Sequence, residues 1–73
     1  MNHLRTIRQL RHLTQVAVYI ATGIDQSLLS KYERGVRVPS AGDLMLLAEL
    51  YQTSVDYLLE RTDTLEPYPP KKR

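Results

Sequence analysis

No cysteine, tryptophan or phenylalanine occurs among the 73 residues, only three are glycine, and the aromatic complement consists of five tyrosines. Without thiols, disulfide staples and thiolate metal sites are excluded, and His3 and His12 alone cannot complete a structural zinc site. No apolar run approaches the roughly 18 residues needed to span a bilayer. Arg5, Arg8 and Arg11 interrupt any apolar stretch near Met1 that a signal peptide would require, so an intracellular, cytoplasmic protein is expected. No nucleophile stands at a recognisable spacing from a base, and both histidines fall on or near the first helical segment, so an enzyme is not expected. No cofactor is called for. A chain this short supports one domain with one core, burying only about 60% of its unfolded surface. It would then need tidy helix packing or association with a second chain, and no sensory domain is expected at this length.

What is present is unevenly charged. The formal net charge is +2. Residues 1–40 carry Arg5, Arg8, Arg11, Lys31, Arg34 and Arg37 against Asp25 and Glu33, whereas residues 41–66 set Arg61 against six carboxylates. Lys71, Lys72 and Arg73 close the chain. A polyanion would prefer the first half, although solvated basic faces are common enough that charge alone does not decide.

The apolar pattern is helical throughout, with no strand alternation and no internal repeat. Asn2 can cap a first helix that places Leu4, Ile7 and Leu10 on one side and ends near His12. Thr14 caps a second over Gln15 to Ala21, which Thr22 and Gly23 break; Asp25 caps a third from Gln26 to Arg34, closed by Gly35. Pro39 bars helix at Val38. Ser40 then caps a fourth segment running to about Tyr51, and Ser54 a short fifth. The expected fold is all-α, a bundle of five short helices joined by short loops. The domain is expected to occupy residues 1–61, followed by a flexible, proline-rich basic tail over 62–73.

The tight link Thr22 to Asp25 forces the second and third helices to cross steeply, a geometry in which one helix braces its neighbour against a DNA groove. At about 100° per residue, Gln26, Ser27, Ser30, Lys31 and Arg34 lie within an arc of about 140°, with Leu28, Leu29 and Tyr32 opposite. Amide, hydroxyl and cation without carboxylate is the chemistry of base edges: glutamine suits adenine, lysine or arginine suits guanine, and serine several partners. A merely solvated helix face is the alternative for any such segment taken alone.

The stretch TQVAVYIATGIDQSLLSKYERG followed by VRVPS resembles the helix-turn-helix of the phage repressor and Cro type, the xenobiotic-response-element family, and the likeness continues through LAELYQTSVDYLL. The resemblance implies a lambda-repressor-like DNA-binding domain. It implies base reading by Gln26, Ser27 and Lys31, and backbone contacts from Thr14, Gln15, Ser30, Arg34 and Arg37. It further implies a structural ion pair between Arg8 and Glu33. The chain departs from the family where alanine is usual and Tyr19 stands instead, and where charged residues are usual at Val16, Ala17, Ile20 and Ala21. A core position for Tyr19 with slightly rotated packing is favoured over one turned outward toward phosphate. Val16 and Ile20, one turn apart, would form a small patch suited to another protein.

Leu44, Met45, Leu46 and Leu47 are consecutive and cannot all face one core, so one of them, Leu46, is expected at the surface. With Tyr51, Val55 and Tyr57 it is a candidate for an isologous dimer interface, the alternative being a wider monomer core. These features together predict a sequence-specific, double-stranded-DNA-binding transcriptional regulator, a repressor occupying its operator as a homodimer. The alternative is a module of the same fold that binds a protein partner, in the manner of an antitoxin or antirepressor.

Overall fold

Polar side chains placed one residue before each helix begin four of the five elements in the structure, a computed structural model that describes residues 2–67. Thr14 Oγ1 accepts from the Ala17 amide at 3.0 Å and opens α2 (Gln15–Thr22). Asp25 Oδ2 accepts from the Ser27 amide at 3.0 Å and opens α3 (Gln26–Glu33). Ser40 and Ser54 do the same for α4 (Ala41–Leu50) and α5 (Val55–Leu58). Each such cap satisfies an amide that the helix itself leaves unpaired, worth about 1 kcal/mol.

The first helix differs from expectation. α1 spans Leu4–Leu10 and its cap position is His3, whose side chain makes no capping bond. Asn2 nevertheless accepts from the Leu4 amide at 3.1 Å, and its amide nitrogen donates to the Tyr32 carbonyl at 2.8 Å, stitching the start of α1 to the end of α3. His3 ties the same end to α5, its Nδ1 lying 2.8 Å from the Tyr57 carbonyl oxygen and its ring set against that of Tyr57 at a tilt of 34°.

The helices end in a shared way that glycine content did not foretell. After α3, Gly35 takes φ +74°, its amide donates to Tyr32 and the next amide to Lys31, the paired closure of a Schellman motif. α1, α4 and α5 close with the same two bonds around His12, Gln52 and Glu60, at φ +59°, +54° and +62°. A side chain in this region costs about 1–2 kcal/mol, part of which glycine would give back through its freer unfolded chain. Exposed His12→Gly is therefore expected to raise stability by about 0.5 kcal/mol, read as a higher urea midpoint at unchanged slope.

The core gathers Leu4 and Ile7 of α1, Val18 of α2, Leu29 and Tyr32 of α3, Leu44 and Leu47 of α4, Tyr51 beyond its end, and Tyr57 and Leu58 around α5. Leu10, expected on the buried side of α1, is 53% exposed. At about 100° per residue Leu10 lies roughly 90° from the midline of Leu4 and Ile7, whereas Arg11 falls almost on it. Arg11 uses that position to donate from Nε to the Tyr51 carbonyl at 2.9 Å, capping the end of α4 from a distance. Leu46 is exposed as expected and Met45 is exposed beside it, while Leu44 and Leu47 are buried. Past the boundary expected at residue 61, Leu65 still packs against the core, and its carbonyl accepts from Thr53 Oγ1 at 2.5 Å. The basic end of the expected tail lies outside the described residues. Among the described residues no helix is long and apolar enough to cross a membrane.

Candidate nucleic-acid interface

The turn between α2 and α3 is three residues long. Gly23 supplies φ +78°, Thr22 Oγ1 accepts from the Ile24 amide at 3.1 Å, and Ile24 is buried beneath the corner. α2 and α3 therefore pack directly on one another, and α3 presents its outer face beside the start of α2. Leu29 and Tyr32 hold the inner face, with the Tyr32 hydroxyl donating to Asp43 Oδ2 at 2.6 Å at the first turn of α4. Burial, assisted by that carboxylate, pushes the Tyr32 phenol above its ordinary range.

On the outer face Gln26, Ser27, Lys31 and Arg34 are exposed and Ser30 is partly buried. Arg34 Nε donates to the Ser30 carbonyl at 3.3 Å, which leaves the rest of its guanidinium outward. Exposed Arg37 follows in the loop after α3, and Thr14 stands at the start of α2 with its hydroxyl hydrogen still available after capping. Gln15 is less free than expected of a phosphate contact. Its amide nitrogen donates to Glu33 Oε1 at 3.2 Å, so only the second amide hydrogen can serve a phosphate.

The carboxylate of α3 is removed from this face. Glu33 has a side chain 0% exposed, held by Arg8 through Nε to Oε2 at 2.6 Å and Nη2 to Oε1 at 3.0 Å, with Arg5 Nε at 3.6 Å. Arg8 also donates to the Leu13 carbonyl at 2.9 Å. Its bond to Glu33 holds the guanidinium more firmly protonated than usual, against the opposing effect of burial. One buried pair thus joins α1 to α3 and, through Gln15, to α2.

Nearby sits a polar group with nothing to bond. The Tyr51 hydroxyl is buried without a hydrogen-bond partner among the described residues, and burial together with the Glu33 charge pushes the phenol well above its ordinary range. Tyr51→Phe should therefore stabilise the fold by about 1 kcal/mol, since an unsatisfied buried hydroxyl is removed. Its second effect appears in alkali. Above about pH 10 the unfolded chain loses this phenol proton while the folded chain keeps it, so wild-type stability falls as pH rises. Thermal melts from pH 8 to 11 should show a shallower decline in Tyr51→Phe, with Tyr32 supplying the remainder; an unchanged decline would contradict this.

Two sequence expectations are corrected here. Tyr19 is not in the core but 48% exposed. Val18 takes the one fully buried direction of α2, and the next residue, rotated by about 100°, stays where its hydroxyl keeps water. Val16 and Ile20 are exposed on the same helix. Tyr51 and Tyr57, expected at a dimer surface, are both buried in the core, which leaves exposed Leu46 and partly buried Val55 of that set. Asp25, read from sequence only as a cap, also stands exposed at the leading edge of α3.

A helix-turn-helix family model matches residues 4–58. An uncharacterised helix-turn-helix-type transcriptional regulator of Bacillus subtilis strain 168, YobD, is 38% identical over 64 residues, covering 88% of this chain and 57% of that protein. Rv0474, likewise an uncharacterised helix-turn-helix-type transcriptional regulator, of Mycobacterium tuberculosis strain H37Rv, is 33% identical over 64 residues, 88% of this chain and 46% of its own length. The chain therefore spans about half the length of the curated relatives it matches. No solved structure gives a significant match.

Proposed function

Because the chain belongs to the Cro/C1-type helix-turn-helix family, we propose that it binds double-stranded DNA sequence-specifically and regulates transcription, as a repressor that occupies its operator as a dimer. The observation that carries this reading is the division of charge on α3. Its outer face offers amide, hydroxyl and cation, while Glu33, which would repel phosphate, is folded inward onto Arg8. Gln26, Ser27 and Lys31 read base edges; Thr14, Ser30, Arg34 and Arg37, with the remaining hydrogen of Gln15, hold the backbone. Of the residues expected to pair two copies, exposed Leu46 and partly buried Val55 remain accessible. Such pairing sets the two α3 helices about 34 Å apart on one face of the duplex and favours a near-palindromic site.

The test is selection of bound sequences from random DNA with the purified chain. Enrichment of a motif with two inverted half-sites about ten base pairs apart supports the reading. Failure to enrich any motif at physiological salt rejects it. The exposed Val16, Tyr19 and Ile20 on α2 favour a second reading, a module of the antitoxin or antirepressor kind that docks on another protein through this helix. A stoichiometric protein partner captured without DNA and lost on Ile20→Glu would favour it.

A further inference from the structure

Ser27 Oγ lies 2.6 Å from Asp25 Oδ2, and the same oxygen accepts from the Ser27 amide at 3.0 Å. These bonds, with the Leu28 amide and the Lys31 charge, hold the Asp25 carboxyl below the usual carboxylate range, so it is ionised near neutral pH. An ionised carboxylate has no hydrogen to give. The one hydroxyl hydrogen of Ser27 therefore points back at Asp25, and Oγ turns only lone pairs outward. A free serine reads a base edge as donor or acceptor without preference. This one is fixed as an acceptor, beside a carboxylate that is an acceptor as well, and both are exposed at the leading edge of α3.

We propose that Asp25 is a specificity-determining residue: with Ser27 it forms an acceptor-only pair that selects an exocyclic amino group, cytosine N4 or adenine N6, at the base facing the start of α3. The proposal rests on the DNA-reading function above. Guanine O6 and N7 or thymine O4 at that position would set lone pairs against lone pairs with a negative charge behind them, so the pair works by rejection as well as by attraction. Its side effect is a weaker hold on DNA of any sequence, because the carboxylate also faces the phosphates.

The experiment compares the full chain, Asp25→Asn and Ser27→Ala by selection from random DNA and by titration of an unrelated duplex. The wild type should prefer cytosine or adenine at one position of each half-site by about tenfold, the scale of one good base contact. Ser27→Ala, which leaves the cap and the Asp25 acceptor intact, should weaken the preference at that position alone. Asp25→Asn still offers a side-chain oxygen to the Ser27 amide and is an equally good cap. Its added amino group should move the same position toward guanine or thymine, and the lost charge should tighten binding to the unrelated duplex roughly threefold. A wild-type motif left unchanged by both substitutions overturns the proposal while sparing the DNA-reading function. No motif from the wild type overturns both.

Discussion

Arg8→Ala is expected to lower the free energy of unfolding by about 3–5 kcal/mol, the cost of stranding one member of a buried ion pair. The partner left behind is a carboxylate whose side chain has no exposure, and the missing guanidinium, itself only 12% exposed, makes two bonds to it and a third to the Leu13 carbonyl. Arg5 and Gln15 remain near Glu33, which places the cost at the lower end of that range. A domain of this size holds on the order of 5 kcal/mol in total, so the variant should keep only about 2 kcal/mol and melt well below the wild type. Glu33→Ala should cost less, because an arginine can keep its carbonyl bond and extend its head toward water on an apolar stem. The joint replacement Arg8→Met with Glu33→Leu should recover most of the loss, since two apolar side chains strand no charge. Urea titrations of the wild type, the two single alanine variants, the double-alanine variant and the Met/Leu double would decide it. Equal single losses that simply add in a double-alanine variant would mean that the pair is not the link between α1 and α3 that its geometry describes.

The second large effect concerns binding. Gln26→Ala and Lys31→Ala should each reduce the ratio of specific to non-specific affinity by about 10- to 100-fold, equivalent to roughly 1–3 kcal/mol for each side chain that no longer reaches its base. Arg37→Ala should behave otherwise, weakening all sequences alike and reducing the dependence of log K on log salt by about one unit. The contrast follows from position. Gln26 and Lys31 stand on the outer face of α3, whereas exposed Arg37 lies off that helix, in the loop beyond Gly35. Binding titrations at three salt concentrations, with a selected operator and an unrelated duplex, separate the two behaviours. An Arg37→Ala variant that weakened on the operator alone would move Arg37 among the base-reading residues.

Helix beginnings were legible in the sequence because a cap is local chemistry, written by Thr14, Asp25, Ser40 and Ser54 within three residues of the amide each one serves. Helix ends were legible in position, near His12 and Tyr51 as well as at Gly23 and Gly35, but their closing geometry was legible only where glycine marks it. His12, Gln52 and Glu60 carry no such mark, and what places them in the left-handed region is the packing of the helices they terminate. The inward turn of Arg11 was equally hidden, since its role depends on a carbonyl forty positions away along the chain. Large apolar side chains were ambiguous in a related way. Tyr51 and Tyr57 suited a core or an interface, and Tyr19 suited a core or a surface; long-range packing settles each case. On the candidate site, the outer face of α3 followed from angular spacing alone. The Asp25 bond to the Ser27 hydroxyl did not, because one residue's cap and its neighbour's hydrogen-bond polarity become a single fact only in three dimensions.

The two arginines turned inward along α1 and at its end also alter what a bound polyanion can touch. Arg8 is paired with Glu33, and Arg11 is turned onto the carbonyls of Tyr51 and Gln52, which occupies its donors without cancelling its charge. The cations of the first forty residues left to reach phosphate are thus mainly Arg5, Lys31, Arg34 and Arg37, with the ionised Asp25 among them. Counterions are released only by cations that reach phosphate. The charge tally of the sequence therefore overstates how many ions leave the duplex on binding, and understates how narrowly the attracting charge is aimed.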